Sequence, residues 1–138
     1  MEVSASTTIR RPRAELWDFC AVHHPENHPR WDPDIKLERT SDEPLSVGSI
    51  LRRWNTRFGT PTEGTMEITA WEPERRVEFL TRDGDSAIHG YMTFEKESDG
   101  ATIVTSGGVF PQADETLADR IRSLMERSLA NLKALVER

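Results

Sequence analysis

The 138-residue chain is predicted to form one α+β domain, residues 1–138, in which a run of antiparallel strands is closed by a single long C-terminal helix. Three observations carry that expectation. Turn clusters punctuate residues 35–110 at a spacing of about ten residues, which suits a meander. Residues 114–137 carry an unbroken helical stripe of apolar side chains. Ahead of both lie one alternating stretch and one short amphipathic stretch.

The alternating stretch comes first. Val3, Ala5, Thr7 and Ile9 interleave with Glu2, Ser4, Ser6, Thr8 and Arg10, the period of a strand with one face inward. Pro12 suits a helix start, and Leu16, Trp17 and Cys20 then share one stripe of a first helix over Pro12 to Val22. From His23 to Asp34 the prolines at 25, 29 and 33 predict single helical turns at most. Six strands follow: Ile35–Arg39, Ser49–Phe58, Thr65–Trp71, Arg76–Thr81, Ile88–Glu95 and Thr102–Val109, rich in β-branched and aromatic residues. Asp42-Glu43-Pro44, Gly59-Thr60-Pro61, Glu72-Pro73-Glu74, Asp83-Gly84-Asp85 and Ser98-Asp99-Gly100 supply the turns between them. The last helix is predicted over Asp114–Glu137, with Leu117, Ile121, Leu124, Met125, Leu129, Leu132, Leu135 and Val136 on its apolar face. At 1.5 Å per residue it is roughly 36 Å long, enough to cross a sheet.

Composition narrows the function. A net charge of -6 repels phosphate backbones, so a nucleic-acid partner is not expected. The single Cys20 cannot form an internal disulfide, and no apolar run reaches the length of a membrane span. A cytoplasmic setting is the expectation that follows. Only 36% of residues are hydrophobic while 30% are charged, so large apolar side chains are scarce.

Three local stretches carry a resemblance: Ile9-Arg10-Arg11-Pro12 running into Leu16-Trp17, His28-Pro29-Arg30-Trp31-Asp32-Pro33, and Val47-Gly48-Ser49 before a long strand. Trp71-Glu72-Pro73 and Gly100-Ala101-Thr102 add to it. Together with the order of elements they resemble the polyketide cyclase/dehydrase and lipid-transport group, or SRPBCC family, of the START-like superfamily. The resemblance implies a helix-grip fold: a curved seven-stranded antiparallel sheet wrapped around the long helix, with a cavity between them for apolar or amphipathic small molecules. Members include ligand carriers, aromatase/cyclases and modules without an established ligand. No catalytic motif is common to them, so none is carried over.

Within that frame the strand at 50–58 has two possible faces. Hydrophobicity favours Ile50, Arg52, Trp54, Thr56 and Phe58 inward; the family register counted from Gly48 favours Leu51, Arg53 and Asn55. In the second case buried Arg53 and Asn55 need partners, and an anionic or carbonyl-bearing ligand could supply them. Met66, Ile68 and Ala70 share one parity, as do Val77, Phe79 and Thr81, and Ile88, Gly90, Met92 and Phe94. Small Ala70, Thr81 and Gly90 and adaptable Met66, Met92 and Met125 at inward positions leave room for a cavity. The expected ligand-binding set is therefore Trp31, Arg53, Asn55, Met66, Ile68, Phe79, Gly90, Met92, Met125 and Leu129.

Other candidates read as framework. His23, His24 and His28 with Asp32 and Asp34 offer metal-type ligands, but prolines interrupt the helix that would align them, so a solvated entrance loop is expected and neither metal nor cofactor is assigned. His89, Tyr91, Glu67 and Glu78 fall on the outward parity. Cys20 reads as a small buried hydrophobe, and Gly107-Gly108 as a bend in the last strand. The leading expectation is binding of a small hydrophobic or amphipathic molecule. A cyclase/dehydratase-type enzyme working by substrate positioning, and a homodimeric interaction module using Trp54, Tyr91 or His89, are the alternatives.

Overall fold

The structure is a computed structural model and describes residues 1–57 and 61–138; the expected strand end at Phe58 and the turn residues Gly59 and Thr60 lie outside the described residues. Strand β1 (Glu2–Ile9) leads into helix α1 (Arg13–Trp17), a π-helical turn (Asp18–Val22) and helix α2 (His24–Trp31). Strands β2 (Ile35–Arg39), β3 (Ile50–Asn55), β4 (Thr62–Glu72), β5 (Arg76–Asp83), β6 (Ser86–Ser98) and β7 (Ala101–Val109) follow, and helix α3 (Glu115–Val136) ends the fold. The strands form one curved antiparallel sheet in the order β1-β7-β6-β5-β4-β3-β2. The first strand therefore pairs with the last, Glu2 opposite Val109 through Ile9 opposite Thr102. Because β1 and β2 lie on opposite edges, the chain between them must cross the open face of the sheet, and α1 and α2 make that crossing.

Local chemistry accounts for the elements. The β5–β6 hairpin turns on Gly84 at φ 62°, in the left-handed region that glycine enters without penalty, with Asp83 opposite Ser86 closing it. Helix α3 begins where the Asp114 carboxylate accepts a hydrogen bond from the Leu117 N–H at 2.8 Å. Its far end is pinned twice: Lys133 Nζ donates to the Thr8 carbonyl, and Glu137 Oε2 accepts from the Arg10 N–H at 2.8 Å. The main core runs from Ile9, Leu16, Trp17 and Cys20 through Ile68, Val77, Phe94 and Val104 to Leu129 and Leu132. Trp17 stands edge-on to Trp71 and Phe94, at centroid distances of 4.8 and 5.6 Å.

Four expectations need correction. The proline-rich segment forms an eight-residue helix: Pro25 falls in its first turn, where the missing N–H would be unpaired anyway, and only Pro29 interrupts its ladder. The helix expected over Pro12–Val22 changes hand-hold midway, with the His23 N–H bonding the Asp18 carbonyl five residues back at 3.0 Å. The register of β4 against β5 shifts between Ile68 and Ala70, so Trp71 takes the inward place opposite Val77 and Ala70 leaves the inner wall. The pairing of Gly107 and Gly108 is regular; what requires a glycine at 107 is the Tyr91 ring, which a Cβ there would approach to 2.4 Å.

Candidate functional site

Strand β3 adopts the family register: Leu51, Arg53 and Asn55 are buried, while Ile50 is 44% exposed. Arg53 pairs with Gly64 on β4, and Gly64 pairs with Asp83 on β5, which sets the three in one row on the inner face. The absent side chain in the middle lets the flanking ones meet across it. Arg53 Nε lies 3.2 Å from both Asp83 carboxylate oxygens, and Asn55 Nδ2 donates to Oδ2 at 3.4 Å. Burial lowers the Arg53 pKa and the adjacent Asp83 charge opposes that shift. The partner of Arg53 and Asn55 is therefore Asp83, within the chain, and no anionic ligand is needed to satisfy them.

A second polar chain continues from the first. Asn55 Oδ1 accepts from the Arg57 N–H at 2.8 Å, the Arg57 guanidinium donates to Asp32, and the Asp32 carboxylate faces His28 Nε2 at 3.6 Å. Burial by itself would raise the Asp32 carboxyl; the contacts with His28 and Arg57 outweigh it and hold Asp32 ionised. Helix α2 places His24 and His28 four residues apart with ring centroids 4.5 Å from each other, and His24 stacks 4.7 Å from Phe79. His24 is 2% exposed, so this segment is part of the interior and not a solvated loop. His23 points outward to Asp18 and Glu26, at 3.7 Å from each. Among the described residues no group of three or more His, Cys, Asp or Glu side chains is arranged to hold a metal ion.

Two adjoining cavities lie between sheet and helices. The outer one, about 440 Å³, sits under the N-terminal half of α3 at the β5–β6 hairpin end. Arg53, Asn55, Thr81 and Asp83 form its polar wall, and Ile88, Phe110, Leu117, Ile121, Leu124 and Met125 its apolar one. The inner one, about 140 Å³, is bounded by His24, His28, Trp31, Met66, Phe79, Gly90 and Met92. Arg53, Arg57, Leu124 and Met125 border both. Of the residues expected to bind ligand, Ile68 and Leu129 line neither cavity and belong to the solid core. The other eight border one or both. His24, His28, Asp32, Arg57 and Asp83 were not in that set; the only sequence signal for them was the density of His, Asp and Pro around residue 28 and of Asp around the turn at 84.

The outward parity holds for the remaining candidates. His89 is exposed, and Tyr91 lies across Gly107 with its hydroxyl donating to Glu2 at 2.6 Å and the Arg76 guanidinium 4.6 Å from its ring centroid. Trp54 is half-buried between Lys36 and Arg52, whose cationic ends lie 5.2 and 4.9 Å from its ring centroid. Burial pushes the Cys20 thiol well above its ordinary pKa, which removes it as a nucleophile.

Neutral buried imidazoles give the fold a pH dependence. Burial is the main cause that lowers both the His24 and His28 pKa values from 6.5; proximity to His28 adds to it for His24, while Asp32 opposes it for His28 without overcoming it. Below pH 6.5 the unfolded chain takes up protons that the native chain refuses, so stability falls as pH falls. Each such group contributes up to about 1.4 kcal/mol per pH unit. Urea unfolding at pH 7.5, 6 and 5 is expected to show this loss, and His24→Phe is expected to flatten it. An unchanged slope in the variant would place the titration elsewhere.

A curved sheet closed on one helix, with a partly polar cavity between them, defines the helix-grip class. The chain belongs to the polyketide cyclase / dehydrase and lipid transport family, whose family model matches residues 1–137. Among solved structures it is similar to the di-domain ARO/CYC BexL from the BE-7585A biosynthetic pathway, with a TM-score of 0.78 and 19% identity over 99% of this chain and 46% of that one. It also resembles DynU16 from the dynemicin biosynthetic locus, with a TM-score of 0.75 and 17% identity over 99% of this chain and 47% of that one. This chain thus spans about half the length of each. An uncharacterised protein from Bacillus thuringiensis matches end to end, at a TM-score of 0.76 and 13% identity over 100% of both chains. Among curated proteins none matches. No helix of the described residues is long and apolar enough to cross a membrane.

Proposed function

We propose that the protein binds a small amphipathic molecule in the two adjoining cavities, with its apolar body against α3 and its polar groups against the Arg53–Asp83 row. The carrying observation is the outer cavity itself. It is of ligand size, its floor is a buried and internally paired polar row, and its roof is the apolar stripe of one helix. A ligand gains apolar burial from the roof and orientation from the floor, without having to neutralise an orphan charge. The family match and the helix-grip fold support this reading at the level of class.

The experiment uses 1-anilinonaphthalene-8-sulfonate as a reporter, titrated into the wild type and into Met125→Trp. Met125 borders both cavities and is only partly buried, so the larger ring is expected to fill cavity space rather than strain the core. The expected result is saturable binding to the wild type, at least about tenfold weaker in the variant, with the melting temperature held within a few degrees. Equal affinity in both proteins would put the ligand somewhere else. Catalysis by folding a flexible substrate is a second reading, favoured by the adjacency of a larger and a smaller cavity that share Arg53, Arg57, Leu124 and Met125.

A further inference from the structure

We propose that the inner chamber is built to receive a neutral hydrogen-bond donor, a hydroxyl carried on an apolar ring, and that His24 and His28 select it. The proposal rests on the binding reading above and assigns a chemistry to the deep end of the same site. His24 Nδ1 lies 2.7 Å from the Cys20 carbonyl oxygen. A carbonyl only accepts, so the proton is on Nδ1 and Nε2 keeps a lone pair. His28 Nε2 faces the Asp32 carboxylate, which only accepts when ionised, so the proton belongs on Nε2 and the lone pair on Nδ1. His24 Nε2 and His28 Nδ1 are the ring atoms left buried without a hydrogen-bond partner among the described residues. Two histidines, each with one unmet ring acceptor, thus border one chamber, and an unmet buried acceptor favours any occupant that donates to it.

Charge decides which donor fits. A carboxylate or sulfonate would set its lone pairs against those of both imidazoles and add a negative charge where Asp83 and Asp32 already balance Arg53 and Arg57, although Arg57 Nε keeps one N–H without a partner among the described residues. An ammonium would bring an uncompensated positive charge beside those same guanidiniums. A hydroxyl brings a proton without a charge. Its carrier meets Trp31, Phe79, Met66 and Met92, and Gly90 leaves the wall open, since a Cβ there would have only the Gly107 carbonyl within 4 Å, at 3.6 Å. That lining suits a flat apolar ring.

The test compares 2-naphthol with 2-methoxynaphthalene, which share a ring system and differ in the donor, by equilibrium dialysis against the full chain. The expected result is a preference of about tenfold or more for the naphthol in the wild type, reduced to within about twofold in the His24→Leu and His28→Leu variants. Imidazole nitrogen resonances of the labelled wild type supply a readout that needs no variant: the His24 Nε2 signal is expected to shift with naphthol and to stay in place with the ether. Equal affinity for the two probes overturns the proposal, as does a preference that survives both substitutions. If 1-anilinonaphthalene-8-sulfonate binds the outer cavity but neither naphthalene binds, the donor assignment falls and the cavity reading stands. If none of the three binds, both fall.

Discussion

Asp83→Ala is expected to destabilise the protein by about 3 kcal/mol, the low end of the range for breaking a buried ion pair, because both side chains edge on cavity space. The side chains of Arg53 and Asp83 are 9% and 13% exposed, and Arg53 Nε reaches both carboxylate oxygens. Removing the carboxylate strands a guanidinium that cannot shed its proton at any ordinary pH. It also takes the acceptor away from Asn55 Nδ2. The double replacement Arg53→Met with Asp83→Leu removes both charges, and is expected to return to within about 1 kcal/mol of the wild type. Urea unfolding of the three proteins decides the matter: a single variant that loses less than about 1 kcal/mol would mean that the row contributes nothing to stability.

Gly64→Ala is expected to cost a similar amount, about 3 kcal/mol, by a different route. A Cβ at residue 64 would lie 1.7 Å from the Arg82 carbonyl oxygen and 2.9 Å from Asp83 Oδ1. The first of these is backbone, so no rotamer change relieves it and the end of the β4–β5 ladder has to part. Asp83 moves with that backbone, so the variant also loosens the pair with Arg53. Gly90→Ala is the control. Its Cβ would meet only the Gly107 carbonyl at 3.6 Å, an ordinary contact, and the substitution is expected to stay within about 1 kcal/mol of neutral. Equal effects at the two positions would mean that crowding at Arg82 is not the cause.

These two residues also mark where sequence reasoning stops. The strands and α3 were legible because alternation, a 3.6-residue stripe and turn residues are local properties, and β2 was placed at Ile35–Arg39 on those grounds alone. The face of β3 was legible only by counting from Gly48, since apolar content pointed to the opposite one. A buried Arg on a strand contradicts local hydrophobicity, and its reason lies 30 residues away in Asp83. Nothing in the Asp83-Gly84-Asp85 turn distinguishes the carboxylate that pairs with Arg53 from the one that does not. The bulge at Ile68–Ala70, which exchanges Ala70 for Trp71 on the inner face, likewise follows from tertiary packing of Trp71 on Trp17. The burial of His24 and His28 was hidden by their prolines, which read as helix breakers until Pro25 is seen to fall where a helix tolerates one.

Helix α3 is held unequally along its length. Its C-terminal half contributes Leu129 and Leu132 to the main core and is tied to Thr8 of β1 through Lys133 and, just past the helix end, to Arg10 through Glu137, whereas Ala118 and Ile121 near the other end belong to a small separate cluster with Val3. The outer cavity opens under that lightly held half. Lifting it breaks the small cluster and leaves the main core in place, so under the proposed binding a guest would come and go through a local opening that costs less than global unfolding. For the proposed ligand, residence time and fold stability would then be set by different turns of one helix, and substitutions in each turn are expected to change one more than the other.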